Sequence, residues 1–290
     1  MIAILGPGGV GGFLAAALAR AGEPVLVVAR EPTADVIARD GIAVQSVRLG
    51  EFTARPPAAA SLTEAGATLV VATKATTLAD ALDRVQGEPA RVVPLLNGVD
   101  HMALLRERYG DDRVTAGSIR VEANRPAPGR ITHSSPFLRV DLGPPAPGVA
   151  ELAAALDRSA VPARVLDSEA GVLWGKLVRL NAIASSTSAW DLPFGRIRDD
   201  PEKYAQVRDA VREGAAVAAA EGADVPAGRV LEEIADLHPT LTSSMQRDIA
   251  AGIPPELDAI TGAVLRAAER HGIAAPTVAA LYDRIAARIA

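Results

Sequence analysis

An apolar run, Ile2-Ala3-Ile4-Leu5, breaks directly into Gly6-Pro7-Gly8-Gly9-Val10-Gly11 and then into a second apolar stretch rich in alanine. No other feature of the chain constrains its fold as much. A short apolar run bounded by glycine reads as a strand buried on both faces, the kind found in parallel sheets. The G-x-G-x-x-G spacing alone is a weak signal. Between such a strand and a helix it reads as the phosphate-binding turn of a dinucleotide site. Its glycines let the backbone turn tightly and approach a pyrophosphate, whose charge sits at the helix N-terminus. Gly6, Gly8, Gly9, Val10 and Gly11 are therefore the expected cofactor cradle; a glycine-rich turn without a ligand is the alternative.

The pattern that begins there repeats. Residues 1–5, 24–29, 68–72 and 92–95 read as buried parallel strands, and 11–21, 76–85 and 102–109 as the helices between them. Alternating strands and helices imply βαβ units and a doubly wound sheet. Strand-like runs at 113–121, 130–133 and 137–142 are expected to extend that sheet, with Pro- and Gly-rich loops at 125–130 and 143–148. From about residue 168 the pattern becomes helical throughout: 168–188, 201–222, 226–237, 242–250, 255–271 and 276–290. Proline stands near several helix starts and glycine near several ends. The expected organisation is a Rossmann-type α/β N-terminal domain (1–167) followed by an all-α C-terminal domain (168–290), in line with the chain's 290 residues.

Composition narrows the class of function. There is no cysteine, which excludes disulfides, thiolate metal sites and cysteine nucleophiles and fits a cytoplasmic protein. The apolar runs are too short to span a bilayer, and the N-terminus lacks the basic segment of a signal peptide. A net charge of −5 disfavours broad nucleic-acid binding. No metal or membrane partner is expected. The basic residues are 27 arginines and only three lysines, Lys74, Lys176 and Lys203. Arginine cannot give up a proton usefully and lysine can, so each remaining lysine marks a place where arginine would not serve.

Position then singles out individual residues. Arg30 follows the second strand, where arginine suits the 2′-phosphate of NADP and an acidic residue suits the ribose of NAD. Arg30 precedes Glu31, so NADPH is the expected cofactor. The alternatives are a solvated arginine, and a Glu31 that only opens a helix. Lys74 and Asn97 follow the strands 68–72 and 92–95, at the carboxyl ends where open α/β sheets bind ligands; Asn97-Gly98 is equally a turn signal. Lys176 falls in or at the edge of a helical stripe formed by Val172, Leu173, Leu177, Leu180 and Ala184. Lost hydration there suits a proton donor, unless the ammonium reaches water along its stem. Ser244 and Glu256 fit a substrate carboxylate donor and a hydroxyl acceptor, or plain helix-end chemistry.

Taken together and in order, these motifs resemble the ketopantoate reductases (2-dehydropantoate 2-reductases). The resemblance runs through Ile4-Leu5-Gly6-Pro7-Gly8-Gly9-Val10-Gly11, Lys74, Asn97-Gly98, Trp174-Gly175-Lys176-Leu177, Ser243-Ser244-Met245 with Asp248, Glu256-Leu257-Asp258 and His271-Gly272-Ile273-Ala274-Ala275-Pro276. It implies an N-terminal half that binds NADPH and a helical half that closes over a small oxo acid, in pantothenate biosynthesis. By the same resemblance Lys176 is the general acid, and Glu256 contacts the substrate hydroxyl and positions Lys176. Ser244 holds the substrate carboxylate, while Asn97 and Lys74 position the nicotinamide end and the substrate. A homodimer through the helical half is a further implication.

The chain also departs from the family pattern. The family usually carries asparagine four residues after the lysine and often another eight after it; here those positions are Leu180 and Ala184. Asn181 lies about 100° round the helix from the first of them. The hydroxyls of Ser185-Ser186-Thr187-Ser188, Thr187 in particular, are expected to supply some of the lost polarity. The leading expectation is NADPH-dependent reduction of 2-dehydropantoate to pantoate. The alternatives are a relative acting on another oxo acid or an imine, and a non-catalytic NADP(H)-binding sensor.

Overall fold

The computed structural model describes residues 1–289. Its chain divides into two compact units, one of Met1–Leu96 with His101–Val172, the other of Asn97–Asp100 with the chain from Leu173 on. The first is α/β and the second is helical.

In chain order the first unit carries β1 (Ile2–Leu5), α1 (Gly9–Arg20), β2 (Val25–Val28), α2 (Glu31–Asp40), β3 (Ile42–Ser46), β4 (Gly50–Ala54), β5 (Ala58–Ala59), β6 (Thr68–Val71), α3 (Leu78–Leu82) and β7 (Arg91–Pro94). It continues with α4 (His101–Tyr109), β8 (Ala116–Arg120), β9 (Ala123–Ala127), β10 (Arg130–His133), β11 (Arg139–Gly143), α5 (Val149–Arg158) and β12 (Ala163–Val165). A five-stranded sheet in the order β5-β2-β1-β6-β7 is parallel throughout. All four residues of β1 are buried, as a strand covered on both faces requires. Phe13, Leu14 and Leu18 of α1 and Leu152 and Leu156 of α5 fill the core with Ile4, Val70 and Val93.

The strands after residue 110 do not extend this sheet, contrary to the sequence expectation. They form two others, β4-β3-β10-β9 and β12-β11-β8. The reason is pairing: β10 runs parallel to β3 and antiparallel to β9, while β11 runs antiparallel to β8 and parallel to β12. A single parallel bridge, Val92 to Val114, joins the last group to β7. Half of the stretch 125–130, read as a loop, is strand β9, and its last residue opens β10. Its Pro126 is tolerated because β9 is an edge strand, where a missing N–H costs no ladder bond.

The second unit holds most of α6 (Glu169–Trp190), then α7 (Phe194–Arg198), α8 (Pro201–Ala220), α9 (Ala227–Ala235), α10 (Ser244–Ala250), α11 (Ala263–Arg270) and α12 (Pro276–Ile289). Helix α8 packs against α7, α9, α11 and α12 and buries Val207, Ala210, Val211, Gly214 and Val217. Its N-terminus is closed by Asp200, which accepts from the N–H groups of Glu202 and Lys203, with proline in the first turn. The helix expected over 255–271 is broken in character. Pro254 and Pro255 lack donors, and Asp258–Gly262 forms a π turn before α11. Single π turns inside helices are frequent at functional sites.

Candidate active site

The glycine loop is built by close contact. Gly6 has φ +88°, a left-handed conformation that glycine adopts without strain. A Cβ on Gly9 would stand 1.9 Å from the carbonyl oxygen of Ala123, and one on Gly11 would stand 2.2 Å from that of Gly6. Gly8 differs: a Cβ there would meet no protein atom within 4 Å. Gly8 is the extended N-cap of α1, and no side chain caps the helix or places an acid in its first turn. The packed glycines thus hold the turn in shape while Gly8 faces open space at a positively polarised helix end. That combination suits a phosphate.

Arg30 is exposed at the end of β2 and is the extended N-cap of α2, whose first residue is Glu31. Lys74 is half-buried after β6 and precedes a short 3₁₀ turn, Ala75–Thr77.

Asn97 belongs to the other unit, with Lys176 and Glu256. It follows β7 in sequence, but one close partner of its side chain lies on α6 and the other in the stretch leading into the π turn. The Lys176 ammonium donates to Asn97 Oδ1 at 2.8 Å, and Asn97 Nδ2 donates to Glu256 Oε2 at 2.9 Å. The chemistry fixes the orientation of the amide. Turned over, it would set NH₂ against an ammonium and oxygen against a carboxylate. Asn97 is an adaptor between a cation and an anion, each bond assisted by charge.

Local structure explains how the three meet. Lys176 lies on α6, half-buried, with Val172, Leu173 and Leu177 buried around it. Glu256 is 8% exposed and sits two residues before the π turn begins at Asp258. Gly98 has φ +83°, and a Cβ on it would stand 2.0 Å from the carbonyl oxygen of Ala259 within that turn. Only glycine lets the 97–100 segment lie so close to the backbone that follows Glu256. Asn97-Gly98 was legible as a turn; its contact with residue 259 left no signal in spacing.

Other expectations fare differently. Ser244 is the exposed first residue of α10, while its neighbour Ser243 is the buried N-cap, accepting from the N–H of Gln246 at 3.0 Å. Thr187 does not supply polarity to a ligand. It is fully buried, donates to the carbonyl of Ile183 at 2.8 Å and pairs with Ser243 Oγ at 2.8 Å. Ser185 and Ser186 bond to carbonyls of their own helix. These hydroxyls are consumed by the backbone, the usual fate of serine and threonine inside a helix. Leu180, one turn beyond Lys176, is half-buried, and Ala184 is buried. Asn181 is wholly buried, and its amide finds no hydrogen-bond partner among the described residues. Among those residues no group of three or more acidic or histidine side chains is arranged to hold a metal, and no helix is long and apolar enough to cross a membrane.

The glycine turn suits a dinucleotide, and a lysine linked through an amide to a carboxylate suits the proton transfers of a nicotinamide-dependent oxidoreductase. Comparison with known proteins agrees. Residues 2–147 match the family described as ketopantoate reductase PanE/ApbA, and residues 170–289 match its C-terminal counterpart. A 2-dehydropantoate 2-reductase of Caulobacter vibrioides is 34% identical over 286 residues, covering 95% of this chain and 94% of that one. The crystal structure of 2-dehydropantoate 2-reductase from Geobacter metallireducens superposes with a TM-score of 0.89 at 26% identity, covering 99% of each chain. The fold is also that of a D-mandelate dehydrogenase solved with NADH and anilino(oxo)acetate (TM-score 0.86, 21% identity, 99% and 98% covered). The chain belongs to the ketopantoate reductase family.

Proposed function

We propose that this protein is an NADPH-dependent reductase of a small 2-oxo acid, with 2-dehydropantoate to pantoate the leading reaction. The observation that carries the reading is the Lys176–Asn97–Glu256 chain of hydrogen bonds. A carbonyl accepting a hydride at carbon becomes an alkoxide unless a proton arrives at its oxygen. Lys176 is the proton donor, and the product is the neutral hydroxyl. NADPH, when bound, supplies the hydride. Asn97 holds the ammonium through Oδ1 and so fixes the direction from which the proton is delivered to the substrate oxygen. Glu256 fixes the other end of the amide and is assigned the substrate hydroxyl. Ser244 is the donor assigned to the substrate carboxylate. Lys74 is assigned to the substrate and the nicotinamide end.

The cradle of Gly6, Gly8, Gly9, Val10 and Gly11 suits the pyrophosphate, because Gly8 leaves open the volume that a side chain would fill. Arg30 is assigned the 2′-phosphate. A second reading, reduction of a more apolar oxo acid, is favoured by Leu180, which puts hydrocarbon one turn from Lys176 where the family pattern has an amide. A sensor that only binds the dinucleotide would need the glycine loop and would have no use for the lysine chain.

The test is loss of nicotinamide absorbance with a panel of 2-oxo acids, using NADPH and NADH side by side. 2-Dehydropantoate with NADPH should give the highest kcat/KM, and Arg30→Ala should weaken NADPH binding by roughly 1.5–3 kcal/mol, the scale of a charged hydrogen bond. Tight NADPH binding with no turnover on any oxo acid would establish the sensor instead.

A further inference from the structure

Arg266 touches none of Lys176, Asn97 or Glu256, yet it links the two segments that carry Asn97 and Glu256. One of its terminal nitrogens donates to Asp100 Oδ2 at 2.6 Å, to the carbonyl of Asp258 at 2.9 Å and to Asp258 Oδ2 at 3.3 Å. The other donates to Asp258 Oδ1 at 2.7 Å. Asp100 stands three residues after Asn97, and Asp258 two residues after Glu256. We infer that Arg266 is a positioning residue: its guanidinium fixes the 97–100 turn to the π turn and so sets the Asn97 amide between Lys176 and Glu256. The inference rests on the reading of Lys176 as the acid.

Three observations support it. First, the guanidinium is a rigid planar fork that reaches several acceptors at once in fixed directions, which an ammonium does not. Second, two glycines make room for the junction. Gly98 admits the Ala259 carbonyl, and a Cβ on Gly262 would stand 2.8 Å from Asp258 Oδ1 and 3.1 Å from the guanidinium. Third, stability does not account for the cluster. The three side chains are 40%, 45% and 75% exposed, and ion pairs so open to water contribute little to folding. What the cluster supplies is direction. An amide that must meet a donor at 2.8 Å and an acceptor at 2.9 Å tolerates little displacement, and misplacement by an ångström costs a catalyst up to two powers of ten.

The experiment measures kcat, KM for each substrate and the solvent deuterium isotope effect in Arg266→Met, Asp100→Asn and the double variant, with Arg266→Lys as the conservative change. Expected are a fall in kcat of roughly 10- to 100-fold in Arg266→Met, an unchanged KM for NADPH, and a larger isotope effect as proton delivery becomes slower. Lysine should restore kcat only in part, and the double variant should be no slower than Arg266→Met. Should Arg266→Met fail to fold, Asp100→Asn and Gly262→Ala disturb the same junction without removing the arginine. Parent-like kcat and isotope effect in the folded variants would overturn the inference, as would a loss confined to melting temperature. Lys176→Ala, measured alongside, separates the two ideas. If it is as fast as the parent, the reading of Lys176 has failed; if it is slow while the Arg266 and Asp100 variants are fast, only the positioning role has failed.

Discussion

Lysine at position 176 stands in a chain that uses arginine almost everywhere else, and its neighbours make the choice intelligible. An arginine there would still offer N–H groups to Asn97 Oδ1, so geometry and charge would survive while the usable proton would not. Lys176→Arg should therefore lower kcat by roughly 10²–10⁴-fold, the usual worth of a general acid, with NADPH affinity intact in a fluorescence titration. A nearly unchanged kcat would assign the proton to another group. Leu180 makes a second prediction. A buried substrate hydroxyl without a partner costs roughly 1–3 kcal/mol, which is about one to two powers of ten in kcat/KM. The hydroxyls of Ser185, Ser186 and Thr187 are bound to their own helix or to Ser243 and do not compensate for it. Leu180→Asn should raise the preference for 2-dehydropantoate over its deoxy analogue. A parent that already prefers 2-dehydropantoate by more than about a thousandfold would show that other residues hold the hydroxyl.

Among the elements, legibility followed local pattern and failed where long-range contact decided. The first strand and glycine turn were readable because apolar run, glycine spacing and helix lie within twenty residues. Helix α2 and strands β3 to β5 were not read, because residues 31–59 mix charge, glycine and short apolar pieces with no sustained period. The π turn after Glu256 has no periodic signature, since a single extra residue only rotates the faces that follow. Asn97 was visible as a strand-end residue. Its partners stand 79 and 159 residues away, and no spacing rule relates them. The second sheet holds a comparable hidden device, His133 at the end of β10. Ser46 Oγ accepts from the N–H groups of Arg48 and Leu49, so its own proton goes to His133 Nδ1 at 2.8 Å. Nε2 then carries the hydrogen and faces Ser135 Oγ, which in turn donates to the carbonyl of Phe137. This network accommodates the neutral ring, which also packs on Phe13 at 4.6 Å. Burial, with Arg48 nearby, holds the imidazole below its ordinary pKa of 6.5. The unfolded chain therefore binds the proton first as pH falls, and stability drops below about pH 6.5. His133→Gln should lower the melting temperature at neutral pH but flatten its decline between pH 7.5 and 5. A decline as steep as the parent's would place the titration elsewhere.

For the molecule as a whole, the net charge of −5 sets a problem that local charge must solve. Both proposed ligands are anions, so the average field of the protein repels what it must bind. Attraction has to come from fixed local positive charge: Arg30, Lys74 and the N-terminus of α1. Of these, Arg30 is exposed and assigned to the 2′-phosphate, a group of about −1.5 to −2 charges that NADPH carries and NADH lacks. Exposed charges are screened readily, with a Debye length that shrinks from about 10 Å at 0.1 M salt to about 3 Å at 1 M. The α1 terminus is assigned short backbone contacts to the pyrophosphate, which salt weakens less. Raising ionic strength from roughly 0.05 to 0.5 M should therefore raise KM for NADPH several-fold and leave KM for NADH much less changed. In Arg30→Ala the two cofactors should respond alike. Initial-rate measurements across a salt series decide the point. Equal salt dependence in the parent would mean that Arg30 does not read the 2′-phosphate.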